Sequence, residues 1–383
     1  RNISEYWGGD IPFVLIEDMT NTGLYLTKTK ENVSQKGLDD SSAWIVPPYS
    51  LLLSMYATIG ETAINIIPVS TNQAILAIIP NDKLLVEYGA YSLKFNSNKL
   101  KMHNIQSTQK NVNKGIVENF QIPLPPIPEQ KAIANVLSTV QENIEKTEAV
   151  IDSTKELKKS LMSHLFTYGS VPVSEAEKVK LKESEVGLIT EDWKICRLEE
   201  IASIRNEPIS PKYALNEVYV GLEHIIPHQI RLNIWGTPSE VKSTKNIFYK
   251  DDILYGKLRP YLDKSVISDR EGICSTDIIV IKSNPVTINN IFLAYIIHHD
   301  FFINYAIKTM TGVNHPRTSW SKLKNLSIPL PPLPIQKEIA DILSAVDAKI
   351  EAEENKAKAL EKLFQSLLND LMTGKIRVRE EVA

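Results

Sequence analysis

The sequence predicts an α+β protein in which two globular blocks of mixed strands and helices are each followed by a long helix. The segments 122–167 and 328–373 are two copies of one sequence, 206 positions apart and identical at 21 of 46 positions. A repeat of this length indicates duplication of a whole domain with its helix, because solenoid repeats are far shorter. Short β-branched runs fill the blocks, and apolar residues recur at helical spacing in the repeated segments.

Length and composition describe an ordinary globular protein. A chain of 383 residues with 43% hydrophobic and 23% charged residues can hold two or three domains with real cores. Its two cysteines offer no disulfide framework, so we expect a reducing cytoplasm. No apolar run approaches the ~20 residues that span a bilayer. The chain begins without Met, so we also expect that an N-terminal stretch is absent from this sequence.

The net charge of −3 excludes a protein that coats nucleic acid by bulk electrostatics. Residues 187–327 are the only segment with more basic than acidic side chains. Any nucleic-acid binding must therefore come from a local basic surface or from a partner protein.

Both blocks have the pattern of α+β domains in which strands predominate. In the first block, 49–54 and 70–79 are predicted strands. In the second block, the predicted strands are 217–222, 252–255 and 277–282, each rich in β-branched or aromatic residues. Residues 289–307 are apolar at helical spacing and predict a helix.

The repeated segment predicts an extended proline run followed by a helix of roughly 38 residues, or about 55–60 Å. Proline disfavours helix in the residue before it, so 122–126 should be extended. Pro128 and Pro334 suit the first turn of a helix, and Gly169 and Gly374 suit its end. Each helix carries one apolar stripe close to a coiled-coil seam. We expect the two stripes to pair within the chain, antiparallel, although a stripe can equally pack on any core.

These patterns divide the chain into six parts. The first block covers 1–121, its helix 122–167, and a polar connector 168–186. The second block covers 187–327, its helix 328–374, and a short tail 375–383. A chain with such internal two-fold pseudosymmetry is suited to a two-fold partner, of which duplex DNA is the commonest.

The sequence offers no catalytic or metal site. Val46-Pro47-Pro48-Tyr49 is similar to the Asn/Asp-Pro-Pro-Tyr motif of amino-methyltransferases, but valine cannot accept the hydrogen bond from the target amine. Thr373-Gly374-Lys375 lacks the upstream glycines of a phosphate-binding loop and indicates a helix end. The histidines have no acidic or cysteine companions at metal-ligand spacing. We expect no enzyme activity from this chain alone.

Candidate DNA-binding residues lie in loops at corresponding places in the two blocks. Arginine and lysine suit guanine or phosphate, and asparagine and glutamine suit adenine. For each residue, a solvated polar loop position or a strand-end cap is the alternative interpretation. In the second block the candidates are Lys257, Arg259, Tyr261, Thr276, Asp277, His315, Arg317 and Ser319. In the first block they are Tyr56, Thr58, Thr71, Asn72, Gln73, Lys110, Asn111 and Asn113.

The order of block, proline-led helix, block and proline-led helix resembles the specificity subunit of type I restriction–modification enzymes. The resemblance rests on Ile-Pro-Leu-Pro-Pro-Ile/Leu-Pro-x-Gln-Lys at 122–131 and 328–337, on the helices that follow, and on Glu191-Asp192-Trp193-Lys194…Leu198. It covers essentially the whole chain. Shifted back by the repeat length, the last motif falls before residue 1, so we expect the first block to lack its entry segment.

The resemblance implies two target recognition domains, each reading one half of a bipartite DNA site, separated by the two antiparallel helices. It implies that the helices bind two methyltransferase subunits, which would carry S-adenosylmethionine and the catalytic motif, and it allows restriction subunits to join. Two alternatives from other classes stay open: a self-sufficient DNA-binding regulator with a coiled-coil spacer, and a structural scaffold whose blocks bind proteins.

Overall fold

The computed structural model describes residues 3–56, 58–102, 112–214 and 216–378. It divides the chain into two compact units. The first unit comprises Arg1–Asp152 and Ala352–Ala383, and the second comprises Ser153–Glu351. Each unit therefore contains one globular block and a part of both long helices.

The first unit contains two four-stranded sheets, with the orders β3-β1-β7-β4 and β2-β6-β5-β8. Its strands are β1 (Trp7–Val14), β2 (Tyr25–Leu26), β3 (Glu31–Val33), β4 (Ile45–Val46), β5 (Ser50–Ser54), β6 (Thr62–Asn65), β7 (Val69–Thr71) and β8 (Ile75–Ile78). Its helices are α1 (Ile16–Thr20), α2 (Gln35–Asp39), α3 (Val86–Phe95), α4 (Ser97–Met102), α5 (Lys114–Glu118) and the first part of α6 (Ile127–Tyr168).

The second unit contains two four-stranded sheets, with the orders β12-β19-β16-β17 and β13-β15-β18-β14, one hairpin, β9-β10, and one antiparallel pair of strands far apart in the chain, β11-β20. The strands are β9 (Leu181–Ser184), β10 (Gly187–Thr190), β11 (Lys194–Arg197), β12 (Ala202–Arg205), β13 (Pro208–Ile209), β14 (Val218–Val220), β15 (Lys245–Phe248), β16 (Ile253–Gly256), β17 (Ser265–Ile267), β18 (Gly272–Cys274), β19 (Ile278–Ser283) and β20 (Ser327–Leu330). The helices are α7 (Leu198–Ile201), α8 (Asn290–Ile297), α9 (Asp300–Thr309), α10 (Trp320–Leu323) and the first part of α11 (Leu333–Met372).

The two units share a strand topology, as duplication requires. In the first unit β5 lies between β6 and β8, both antiparallel to it, and in the second unit β16 lies between β17 and β19 in the same sense. In the other sheet, β7 pairs parallel with β1 and antiparallel with β4. The strand β18 does the same with β14 and β15. The predicted pseudosymmetric α+β fold is therefore confirmed.

Most predicted elements are present, with two breaks. The run 70–79 is two strands separated by a turn, in which Asn72 Oδ1 accepts a hydrogen bond from the N–H of Ala74 at 2.9 Å. The predicted helix 289–307 is split into α8 and α9, because the extended backbone of His299 starts a new helix. The connector 168–186 is also more ordered than its composition indicated, since it contains β9.

The two long helices have 42 and 40 residues and end where the sequence predicted. Gly169 and Gly374 adopt the left-handed conformation, with φ of +80° and +71°, which only glycine tolerates without strain. In the first unit the early part of α6 packs against the late part of α11, and in the second unit the late part of α6 packs against the early part of α11. Within each unit the helices are therefore antiparallel.

A buried glutamine fixes the start of each long helix to its own domain. Gln130 and Gln336 occupy equivalent positions in the two repeats and have no exposed surface. The Gln130 carboxamide nitrogen donates to the carbonyl oxygens of Lys83 and Pro125, both at 2.8 Å. Its oxygen accepts from the backbone N–H of Leu85 at 2.8 Å, just before α3 begins.

Gln336 repeats the same three bonds in the second unit. Its nitrogen donates to the carbonyl oxygens of Thr287 at 3.2 Å and Pro331 at 2.8 Å. Its oxygen accepts from the N–H of Asn289 at 2.7 Å, just before α8 begins. Each glutamine thus joins three chain segments: the proline run, the long helix and the start of the domain's main helix.

Replacing Gln336 with leucine should lower the melting temperature of the protein by roughly 5–10 °C. The change leaves one N–H and two carbonyl groups buried without partners, and each such group costs about 1–3 kcal/mol. Thermal melting followed by circular dichroism measures the effect. Gln365→Leu on the exposed face of α11 is the matched control. A Gln336→Leu protein that melts with the control would contradict the assigned role.

Candidate nucleic-acid interface

Three loops of the second unit meet at the end of β16. The backbone N–H of Lys257 donates to the carbonyl of Asp277 at 2.9 Å, and the carbonyl of Lys257 accepts from the N–H of Thr318 at 3.0 Å. The N–H of Arg259 donates to the carbonyl of Pro316 at 2.8 Å. These bonds connect the loops 257–263, 275–277 and 311–319. The structure therefore brings together the eight candidate residues that the sequence indicated in the second block.

Arg317 is held at this surface by Asp277. Its Nε and Nη2 donate to the two carboxylate oxygens at 2.9 and 3.4 Å, and its Nη1 donates to the carbonyl of His315 at 3.2 Å. The hydrogen bond from Arg317 holds the pKa of Asp277 below its usual 3.8, and the same bond raises the pKa of Arg317. A guanidinium has five N–H donors, so two remain for a further acceptor.

The loop that carries Arg259 and Tyr261 has a strained backbone. Arg259 and Asp263 have φ of +52° and +48°, a conformation that few residues other than glycine adopt. The side chain of Arg259 is exposed, and that of Tyr261 is 49% exposed. Such strain persists only where neighbouring groups hold the loop in place.

Two histidines hold this loop by its buried aspartate. The oxygens of Asp263, 5% exposed, lie 2.7 Å from Nδ1 of His298 and 2.7 Å from Nδ1 of His228. Nε2 of the buried His298 lies 3.1 Å from the carbonyl of Ser265 on β17. Sequence reasoning treated these histidines as ordinary, because the spacing along the chain gives no sign that they share a carboxylate.

The remaining candidates in the second unit are exposed or cap a helix. Thr276 and His315 are exposed. Ser319 is the residue before α10, and its hydroxyl lies 2.9 Å from that of Ser321. The sequence analysis missed Val313, which is 96% exposed at the tip of the 311–317 turn. Gly312, with φ of +96°, makes this turn, and the closely spaced Gly312, Asn314 and Pro316 were the signal that could have indicated it.

The first unit repeats the same backbone frame. The N–H of Met55 donates to the carbonyl of Ala74 at 2.9 Å, and its carbonyl accepts from the N–H of Val112 at 3.2 Å. Met55 thus takes the place that Lys257 has in the second unit. Tyr56 is half-buried, and Thr58, two positions later, is exposed.

The other candidates in the first unit differ in exposure and in whether their side-chain oxygen already accepts a hydrogen bond within the protein. Thr71 is 9% exposed within β7, and Asn72 uses its side-chain oxygen to close the turn, whereas Gln73 is exposed at the tip. Asn113 is exposed and caps α5, its oxygen accepting from the N–H of Ile116 at 3.0 Å. Lys110 and Asn111 lie outside the residues that the structure describes.

The loops of the two units therefore share equivalent backbone hydrogen bonds but carry different types of side chain. The second unit presents Lys257, Arg259 and Arg317, whereas the candidates that the structure describes in the first unit are hydroxyl and amide side chains. In the described part of the chain, no group of three or more His, Cys, Asp or Glu residues is arranged to hold a metal ion. No helix among the described residues is long and apolar enough to cross a membrane.

Comparison with known proteins agrees with the duplicated architecture. The family model described as type I restriction modification DNA specificity domain matches twice, over residues 2–154 and 190–362. The chain belongs to this family. The two matches follow the internal duplication, one for each block with much of its helix.

Relatives in the specificity-domain family span most of the chain. The MjaVIII specificity subunit of Methanocaldococcus jannaschii is 30% identical over 76% of this chain and 70% of its own length. The MjaIX specificity subunit of the same organism is 26% identical over 99% of this chain and 89% of its own. The solved S subunit of the type I restriction–modification system from M. genitalium matches 95% of this chain and 93% of its own, with a TM-score of 0.60 and 17% identity. That structural likeness supports the fold alone.

Replacing Asp277 with asparagine should loosen the 311–319 loop, because Arg317 loses its charged anchor. We expect faster amide hydrogen exchange across this loop. Since the pKa of Asp277 is lowered, the ion pair contributes above the usual aspartate pKa and is lost only as pH falls through the lowered value. The wild-type loop should therefore exchange with no change in protection between neutral and mildly acidic pH.

Asp269→Asn is the matched control for this experiment. Asp269 also pairs with an arginine, Arg270, at 2.7 Å, in the turn between β17 and β18. Equal protection of the 311–319 loop in Asp277→Asn and in this control would show that the ion pair does not order the loop.

Proposed function

We propose that this chain is the non-catalytic DNA-recognition subunit of a type I restriction–modification complex and reads a bipartite site. One domain serves each half-site. The observation that carries the proposal is the equivalent frame of loops in the two units, with Met55 and Lys257 at the same backbone position. Two domains with one frame and different side chains are suited to two different half-sites.

The chemistry of each surface supports a different kind of base contact. Arg317 has two N–H donors in a fixed plane, which match the O6 and N7 acceptors of guanine in the major groove. Lys257 and Arg259 lie beside it and suit phosphate oxygens or a second guanine. In the first unit the exposed amide of Gln73 suits adenine, to which glutamine can bond through two atoms.

Partner subunits complete the proposed complex. A chain of net charge −3 supplies little bulk attraction for DNA, so two methyltransferase subunits would add contacts around the duplex, bind S-adenosylmethionine and transfer the methyl group. The two equivalent long helices offer one docking surface for each. The family also allows restriction subunits. Such a complex works in the cytoplasm, in keeping with the unpaired Cys196 and Cys274.

Replacing Arg317 with alanine should weaken or alter recognition of one half-site by about 1–3 kcal/mol, as expected for loss of a base contact. The other half-site should be unchanged, because its reading loops are in the other domain. Selection of bound sequences from a random pool by the methyltransferase complex measures both halves at once. Arg259→Ala is expected to act on the same half.

Arg270→Ala is the control for these substitutions. Its guanidinium stacks on Trp235 at 3.7 Å in the turn between β17 and β18, away from the three loops. Altered preference in both halves after Arg317→Ala would contradict independent reading by the two domains.

Methyl transfer should need the partner. We expect the purified chain with S-adenosylmethionine to transfer no methyl group to DNA, and co-expression with its methyltransferase to give an active complex with two such subunits per chain. Native mass spectrometry and a methylation assay test both statements. Methyl transfer by the chain alone would refute the proposal, and tight salt-tolerant binding by the chain alone would favour the regulator instead.

A further inference from the structure

The internal repeat creates a choice of partners for the long helices. Because α6 and α11 descend from one segment, each could pair with its counterpart in the same chain or with its own copy in a second chain. The apolar stripes alone do not separate these outcomes, since both repeats place similar residues at the seam. Residues at the contact between the helices must therefore differ between α6 and α11 if pairing within one chain is to be favoured over pairing of two copies.

The second unit contains such a difference, a polar cluster formed by Lys158, Tyr295 and Asp347. Nζ of Lys158 on α6 lies 2.6 Å from Oδ1 of Asp347 on α11, and the two side chains are only 12% and 20% exposed. The hydroxyl of Tyr295 donates to Oδ2 of Asp347 at 2.7 Å. Nζ of Lys158 also lies 5.4 Å from the centre of the Tyr295 ring. Every charge in the cluster is thus compensated.

The two equivalent helix positions in the first unit carry uncharged side chains, and a cation of α3, Lys94, lies over one of them, with its Nζ 5.3 Å from the centre of the Phe364 ring. The repeat offset of 206 places Phe364 where the second unit has Lys158, and Gln141 where it has Asp347. Tyr91 takes the place of Tyr295 on the domain's main helix. It packs against Phe364 with ring centres 6.0 Å apart, and its hydroxyl lies 3.1 Å from that of Ser138. Two positions of the repeat are therefore charged in the second unit, whereas in the first unit one is apolar and the other is neutral.

We propose that Lys158 and Asp347 make the pairing of the two long helices selective, so that α6 accepts α11 and rejects a second copy of itself. An antiparallel pair of two α6 helices would set Lys158 opposite Gln141, with no carboxylate. A pair of two α11 helices would set Asp347 opposite Phe364. A charge left buried without a partner is strongly destabilising, whereas the pair in place is compensated. The selection acts on helix pairing and is independent of DNA recognition.

A cysteine reporter in the full chain tests this proposal. In two antiparallel copies of α6, residue 158 of one would face residue 141 of the other, so the two-fold axis would pass beside residue 150. Val150 is 39% exposed, and that arrangement would hold the thiol of a Val150→Cys chain beside the same thiol of its copy, which strongly favours a disulfide between them. Cys196→Ser removes the partly exposed native thiol. Cys274 is buried and needs no change.

Three versions of the reporter chain are compared after mild oxidation with diamide, by non-reducing electrophoresis and light scattering. The first keeps Lys158 and Asp347. The second carries Lys158→Phe and Asp347→Gln, which copies the uncharged side chains of the first unit into the second unit. The third carries Lys158→Asp and Asp347→Lys, which exchanges the charges. We expect the disulfide-linked dimer to be a major species in the second version and a trace in the other two.

Equal amounts of dimer in all three folded chains would overturn the proposal, and so would dimer in the charge-exchanged chain alone. A second uncharged version, Lys158→Met with Asp347→Leu, covers the case in which the first fails to fold. Loss of soluble protein in both uncharged versions would also overturn it, because the cluster would then be needed for folding itself and not for selecting a partner.

Discussion

The three hydrogen bonds made by a buried glutamine at the start of each long helix connect that helix to its own globular block. Gln130 and Gln336 satisfy backbone groups on the proline run and on the start of the domain's main helix at the same time. A buried amide with all its partners in place permits one geometry and penalises others. The direction in which each helix leaves its own domain is therefore fixed by side-chain chemistry as well as by apolar packing.

The two duplicated domains differ in side chains that do not take part in the shared backbone hydrogen bonds. The backbone bonds of Met55 and Lys257 are the same, so the loops keep their positions while their side chains change. The contacts between the long helices follow the same rule. Tyr91 and Tyr295 are equivalent tyrosines, but Tyr91 packs against Phe364, whereas Tyr295 lies beside the ion pair of Lys158 and Asp347. Both proposed specificities, for DNA and for helix pairing, therefore rest on side chains that differ on a repeated backbone.

Much of the fold could be predicted because its signals are local. The prolines and glycines that bound the long helices, and the β-branched runs, act on their own residues and neighbours. The break between α8 and α9 could not be predicted, because the extended residue that causes it, His299, lies within an aromatic and apolar run at helical spacing.

The loops that carry the candidate residues could be predicted from the sequence, but the contacts between those residues could not. Sequence alone indicated Arg317 and Asp277 separately, whereas their ion pair is formed across 40 positions of chain. The side-chain oxygens of Asn72 and Asn113 accept backbone hydrogen bonds in a turn and at a helix N-terminus, which are common roles of asparagine. The exposure of Val313 at a loop tip could not be predicted, because an apolar residue carries no sequence signal of exposure.

Exchange of one whole domain tests the central claim most directly. Residues 187–327 would be replaced by the corresponding block of a relative with a different recognition sequence, keeping both long helices, and the chimera would be co-expressed with its methyltransferase. Sequencing of methylated sites in the host genome then gives both half-sites. Independent domains predict that one half becomes that of the donor while the other stays unchanged. A change in both halves, or in neither, would contradict the account.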